Sequence, residues 1–347
     1  MMLKMERALR YTLFMAVVLV MCLASTGCPA KSTDLGGGPH ETTQPAQEPT
    51  DTPAPVEPAP IEPPPEPEVI KFEPKIWILP SRPDTEIVLP QGTAFMIRVG
   101  ELNGLIASVR SRWGDQVVYC YPTEDPRLWE GMGGVGRDQP PGEYRITIAI
   151  ETTHGERFKT EKTFSVTERE YDSDTLTVAP SMARPTPEAQ KRIKSDRKAF
   201  GWLWTHPSVG KRWGGDFVRP TDGRITSTFG EYRVFNGAVK SRHSGVDLAA
   251  PTGTPIRATA SGRVVLVRRA FIEGNTVVVD HGGGFYSYYC HLSEFSVSEG
   301  DIVEAGDTVG LAGSTGRSTG PHLHWGCRVQ GVKVDCLTLL DLNPWME

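Results

Sequence analysis

Four histidines and one aspartate near the C-terminal end of the chain carry the residue types of a metal site. They lie in three segments: Arg242-His243-Ser244-Gly245-Val246-Asp247, Tyr288-Tyr289-Cys290-His291-Leu292 and Gly320-Pro321-His322-Leu323-His324-Trp325. A catalytic zinc takes three protein ligands from His, Asp, Glu or Cys and keeps one position for water. His243 and Asp247 are four residues apart. On a helix they would share a face, but Gly245, Pro251 and Gly253 speak against a helix. In an extended chain residues four apart share a face as well. His322 and His324 alternate with Leu323 and so share one face of a strand, and Pro321 suits only a strand's start or edge. By the same alternation His291 ends an aromatic run with Tyr289 on its own side and Cys290 on the other. Each piece alone is weak. Together, flanked by the glycine-rich segments 250–255 and 313–320, they predict a metal site. Spacing alone does not choose between His322 and His324 as a ligand.

The elements that must hold these residues read as β-structure. From about residue 217 glycine recurs at almost every turn, and strand patterns fall at 255–258, 262–267, 275–280, 285–292, 308–311 and 322–329. Residues 75–169 show short alternating runs such as Tyr144-Arg145-Ile146-Thr147-Ile148-Ala149-Ile150, separated by Gly, Pro and Asp clusters, as in a small Ig-like β-sandwich. No titratable cluster marks that stretch, so it reads as a spacer or positioning module. Between the two, residues 186–204 predict a helix: Thr186 can cap it, Pro187 suits its first turn, and Ile193, Phe200 and Trp204 fall roughly on one face. The fold class is therefore mainly β: an N-terminal sandwich (75–169), a helical connector (170–216) and a C-terminal antiparallel β domain (217–347).

The C-terminal part resembles the M23 family of metallopeptidases, of the lysostaphin and LytM type. The resemblance spans roughly residues 219–344. It rests on His243-Ser244-Gly245-Val246-Asp247-Leu248-Ala249-Ala250-Pro251, on His291-Leu292-Ser293 and on Gly316-Arg317-Ser318-Thr319-Gly320-Pro321-His322-Leu323-His324. The sandwich is similar, less distinctively, to a domain that precedes some of these peptidases. The resemblance implies that His243, Asp247 and His324 bind one zinc ion per chain, and that His291 and His322 are catalytic. It also implies peptidoglycan as substrate, cut at a peptide bond of the stem or cross-link. No Glu stands inside these motifs as it does in His-Glu-x-x-His enzymes, so proton transfer falls on imidazole, whose free pKa is about 6.5. An alternative is a non-catalytic relative that binds and activates cell-wall amidases. Such proteins have lost several of the five residues, whereas this chain keeps them all. A carrier-domain reading of residues 299–310 fails because no lysine stands there to carry a prosthetic group.

The N-terminus reads as a targeting segment. Lys4, Arg7 and Arg10 precede an apolar run at about 11–23 that is short for a membrane span. Ala24-Ser25-Thr26-Gly27-Cys28 follows and resembles the end of a bacterial lipoprotein signal, with Ser25 where such signals carry leucine. Residues 1–28 are thus expected to be a signal, Cys28 the lipidated residue, and residues 29–74, rich in Pro, Thr and Glu, a tether. These features place the protein in the cell envelope, anchored to a membrane through Cys28. The net charge of −5, with no basic block, argues against nucleic acid as a partner. Cys120, Cys290, Cys327 and Cys336 remain for the exported part. A turn at Gln330-Gly331 favours a Cys327–Cys336 disulfide, against a reading of all four as small buried side chains. His281 reads as a loop-shaping residue, His40, His154 and His206 lack partners at informative spacing, and Tyr286, Tyr288 and Tyr289 read as strand packing.

Overall fold

The computed structural model describes residues 72–81, 85–177, 185–237 and 239–343. The signal, Cys28 and all but the last three residues of the tether lie outside the described residues. Residues Glu68–Glu347 cluster as one compact unit.

Alternation builds the first half. In the strand Gly142–Thr152, Ile146, Ile148 and Ile150 are buried while their neighbours are not. Eight strands form here: β1 (Lys75–Leu79), β2 (Val88–Pro90), β3 (Ala94–Gly100), β4 (Ile106–Trp113), β5 (Gln116–Pro122), β6 (Leu128–Gly134), β7 (Gly142–Thr152) and β8 (Arg157–Thr167). They run in the order β1-β3-β6-β5-β4-β7-β8-β2. β5 pairs with β4 through Cys120 and with β6 through Tyr121 and Pro122. One strand thus serves two sheet halves, which pack face to face around Phe95, Ile97, Trp113, Val118, Ile148 and Phe164. This is the expected sandwich, antiparallel except for the β2–β8 pair.

The connector begins with β9 (Ser173–Leu176) and continues into helix α1 (Pro187–Thr205). Thr186 caps the helix by accepting a hydrogen bond from the Ala189 amide at 3.3 Å. Leu203, Phe200 and Trp204 pack against Tyr286 and Tyr288. The buried Asp196 carboxylate accepts from Arg268 at 2.6 Å and from the Phe271 amide at 2.9 Å, which locks the helix onto the second half. β9 was not foreseen; Ser173-Asp174-Thr175-Leu176 has only one apolar residue to betray a strand.

The second half holds β10 (Ile225–Ser227), β11 (Tyr232–Phe235), β12 (Val239–Arg242), β13 (Val246–Ala249), β14 (Pro255–Arg257), β15 (Gly262–Arg269), β16 (Asn275–Gly282), β17 (Phe285–Leu292), β18 (Glu294–Phe295), β19 (Ile302–Val303), β20 (Thr308–Leu311), β21 (His322–Val329) and β22 (Val332–Val334), then a 3-10 helix at Cys336–Leu342. The main sheet runs β10-β13-β21-β17-β16-β15-β19, with β22 also on β21. β9 joins β11 and β12 in a smaller sheet, parallel to β11. One face of the main sheet is a core of Leu248, Val277, Val279, Tyr289, Leu323 and Trp325.

The favoured Cys327–Cys336 disulfide is not formed. The β21–β22 hairpin turns at Gln330 and Gly331 as expected, yet all four described cysteines are free thiols buried in apolar surroundings. The Cys336 thiol donates to the Trp325 carbonyl at 3.2 Å, and burial pushes its pKa up. The packing role, not the cross-link, is what the fold uses.

Candidate active site

Strand pairing brings the first residues together. β13 and β21 are antiparallel neighbours, with Asp247 opposite His324 and Ala249 opposite His322. Directly opposed residues share a face, and so do residues two apart. Asp247, His324 and His322 therefore emerge on one face of the sheet, while Leu248, Leu323 and Trp325 fill the core behind them. His243 reaches the same spot from the turn before β13. There the chain runs so close to β21 that a Cβ on Gly245 would sit 2.2 Å from the Trp325 carbonyl oxygen, so only glycine fits.

Three ligand atoms converge. His243 Nε2 lies 3.0 Å from Asp247 Oδ1 and 2.9 Å from His324 Nδ1, and His324 Nδ1 lies 2.8 Å from Asp247 Oδ1. Among the described residues this is the one cluster of three or more His, Cys, Asp or Glu side chains with ligand atoms so close. The donor set suits a divalent cation. His243 Nδ1 lies 2.7 Å from the Thr228 carbonyl, which only accepts, so the neutral ring carries its proton there and turns a bare lone pair on Nε2 toward the carboxylate. Lone pairs crowded at these distances repel unless a cation sits among them. The second oxygen, Asp247 Oδ2, accepts from Arg233 at 2.6 Å, and Arg233 is tied in turn to Glu231 at 2.9 Å. Burial pushes the Asp247 carboxyl up, but the His243 and His324 rings beside it outweigh that and hold the group well below the usual carboxylate range. Burial pushes His324 down to about 4, against the pull of Asp247.

His291 reaches the site by a different device. Asn275 pairs with Leu292 and Val277 with Tyr289, so β17 holds one residue more than β16 over this stretch. That bulge contains His291 in the left-handed region, at φ 62°. Strict alternation would have sent His291 into the core beside Tyr289. The bulge instead turns its ring toward the site, 4.8 Å from the His322 ring and 6.0 Å from that of His324. The expected siding of His291 with Tyr289 is thus corrected. A backbone conformation this uncommon for a non-glycine residue is what the bulge imposes on His291. His291 Nδ1 lies 2.7 Å from the Thr315 carbonyl, and His322 Nδ1 lies 2.8 Å from the Gly320 carbonyl. Those carbonyls only accept, so each Nδ1 carries a proton and each Nε2 is turned into the site, that of His322 lying 3.8 Å from Asp247 Oδ1. Burial, then the His322 and His324 rings, push His291 down to about 3, so it rests uncharged.

These residues line a cleft of about 470 Å³. Its walls come from β9, the β10–β13 region and the 313–320 loop; among the described residues no sandwich strand contributes. Arg233, Thr228 and the Thr315 and Gly320 carbonyls were not singled out by sequence reasoning. The last two lie inside the glycine-rich motif, but nothing around Arg233 marks it. His281 is structural: fully buried, it bridges the Ser261 carbonyl and Ser287 Oγ and stacks on Phe285.

Residues 241–336 match peptidase family M23. The chain carries an M23 peptidase domain. Over 122 residues this domain region is 47% identical to the DD-carboxypeptidase/endopeptidase Mpg of Neisseria meningitidis serogroup B, covering 35% of this chain and 28% of that protein. It is 40% identical over 115 residues to the peptidoglycan DD-endopeptidase ShyA of Vibrio cholerae, covering 33% and 27%. The match thus spans under a third of the length of either relative. A crystal structure of a candidate M23 peptidase from Pseudomonas aeruginosa is similar over 74% of this chain and 96% of its own, at 29% identity and a TM-score of 0.56. That likeness extends beyond the M23 domain and takes in more of the mainly β architecture described above.

Proposed function

We propose that this protein is a zinc-dependent endopeptidase that hydrolyses peptide bonds in peptidoglycan stem peptides or cross-links, in the cell envelope. The observation that carries this reading is the convergence of His243, Asp247 and His324 with two further imidazoles alongside. The names of the relatives, peptidoglycan DD-endopeptidases among them, support the substrate class. The amidase-activator reading is not favoured, because every one of the five residues is retained and the three ligand atoms converge. Cys28, on this reading, is the lipid attachment site that ties the enzyme to a membrane.

His243 Nε2, Asp247 Oδ1 and His324 Nδ1 would hold the zinc. Bound there, zinc supplies a Lewis acid and makes water acidic enough to be a nucleophile near neutral pH. The chain's own groups handle the protons. Nε2 of His291 or His322 accepts a proton from the attacking water, since Nδ1 of each ring is engaged with a carbonyl. The ring that holds this proton then faces the developing oxyanion and can donate to it. Burial makes a protonated His291 a strong acid, so from that ring the proton passes on to the leaving amine nitrogen.

The test is digestion of purified sacculi by the zinc-loaded full chain, with released muropeptides read by mass spectrometry. Peptide-bond cleavage is expected, lost with a chelator and restored by zinc. His291→Ala is expected to lower the rate by about 10²–10⁴ while zinc stays bound. Sacculi left intact by zinc-loaded protein would refute the proposal.

A further inference from the structure

The cleft has a charge opposite to that of the chain. The whole protein carries −5, yet Arg224, Arg233, Arg242, Arg317 and Lys333 line the cleft against three carboxylates, Asp174, Asp247 and Glu273. Arg233 is spent on Asp247 and Glu231. Arg317 is not spent. Its guanidinium carbon stands 4.2 Å over the ring centroid of Phe235, which comes from β11 on the other wall. Stacking of this kind fixes the plane of the guanidinium but uses none of its N–H groups, which lie at the rim of that plane. None of the described carboxylates forms an ion pair with it; burial disfavours its charge, against the opposing field of Glu273 in the same cleft. Its backbone is anchored: the Arg317 amide donates to the Ile272 carbonyl at 2.8 Å, and Gly316 packs against Gly274 with no room for a Cβ. The same loop holds both free imidazoles, through the Thr315 carbonyl on His291 and through Ser318 Oγ, 3.3 Å from His322 Nδ1.

We propose that Arg317, stacked on Phe235, is a carboxylate-binding subsite that selects peptide substrates bearing a free carboxylate close to the scissile bond. The inference rests on the endopeptidase reading and deepens it. A guanidinium fork binds a carboxylate through two parallel N–H···O bonds, and a partly desolvated fork whose N–H groups are paired to no described carboxylate is poised for one. Because Arg317 rides on the loop that orients His291 and His322, the bound carboxylate is registered against the groups that move protons. Two sources offer that chemistry in peptidoglycan: the carboxylate of a diamino acid at a cross-link, and the C-terminal carboxylate of a D-alanyl-D-alanine stem.

The experiment uses the zinc-loaded full chain and two matched pairs of probes. One pair is a cross-linked muropeptide dimer with its diamino-acid carboxylate free or amidated. The other is a D-alanyl-D-alanine-terminated peptide with its end free or amidated. Cleavage kinetics are measured for the wild type, Arg317→Gln and Arg317→Lys; binding is measured by calorimetry in the His291→Ala background. The free carboxylate of one pair is expected to bind and react with a KM lower by about tenfold or more, the range of a charge-assisted hydrogen bond. That preference should vanish in Arg317→Gln, return in part in Arg317→Lys, and leave zinc content unchanged; the pair that shows it identifies the source. Equal handling of free and amidated probes, or a preference that survives Arg317→Gln, overturns the subsite. A binding preference without any cleavage by the wild type upholds the subsite and overturns the hydrolase.

Discussion

Asp247 is held from both sides. Its Oδ1 faces the two histidines, and its Oδ2 takes a hydrogen bond from Arg233 at 2.6 Å, with only 14% of the arginine side chain exposed. The arginine keeps one oxygen from swinging away and so presents the other in a fixed direction. Partners of this kind orient metal ligands, and their loss costs roughly 10–100-fold in metal affinity. Arg233→Gln is therefore expected to weaken zinc binding by about that factor while enzyme saturated with zinc keeps most of its turnover. Competition against a chromogenic chelator measures it, and wild-type affinity in the variant would show that Asp247 is oriented without Arg233. The cluster of His243, Asp247 and His324 was legible from residue types and motif likeness because both histidines and the aspartate stand in short segments dense in such residues. Arg233 was not, since an arginine in a four-residue strand looks like a solvated edge. Only the folding of β11 beside the site gives it a buried carboxylate to meet.

Elements place these side chains through register, and register is where sequence reading fails and succeeds by turns. The bounds of β17, β20 and β21 follow directly from their alternation and turn residues. His322 and His324 share a face as their spacing requires. His291 does not follow its spacing, because the extra residue in β17 is set by its pairing with β16, a partner eight residues long whose register no local pattern announces. Gly245 belongs to this scale too. It is the point at which the segment bearing His243 passes β21 at backbone distance, and an added methyl there would meet the Trp325 carbonyl at 2.2 Å. Strands cannot yield as a flexible side chain can, so β13 must move away from β21 and carry Asp247 with it. Gly245→Ala is expected to lower stability by about 1–3 kcal/mol, the usual cost of overpacking. It should also lower zinc affinity, as read by denaturant titration with and without metal. A fully stable variant with intact zinc binding would mean that the close approach is not what positions Asp247.

At the scale of the whole molecule, the sandwich and the peptidase half share a core. Leu79, Ala94, Met96 and Met132 of the sandwich belong to the same buried cluster as Val329, Val334 and Leu339 beyond the site. Polar contacts fasten the same seam: the Ala94 amide donates to Thr338 Oγ1 at 2.9 Å, Arg169 pairs with Asp335 at 2.7 Å, and Lys211 pairs with Glu130 at 2.5 Å. The Lys211–Glu130 pair is nearly buried, at 8% and 10% exposure, so separating the halves would strand two charges as well as expose apolar surface. Yet among the described residues no sandwich strand lines the cleft, so this half supports the site from behind rather than covering it. Halves joined this way should unfold together. Calorimetry of residues folded in the full chain is expected to give one cooperative transition for both. Met96→Ala, a truncation in the shared core at 3% exposure, should cost about 2–5 kcal/mol and shift that whole transition. Loss of activity on heating should track it, although Met96 lies in the sandwich and not in the cleft. Two separate transitions, with Met96→Ala moving only one and the heat inactivation unmoved, would show instead that the peptidase half stands without the sandwich.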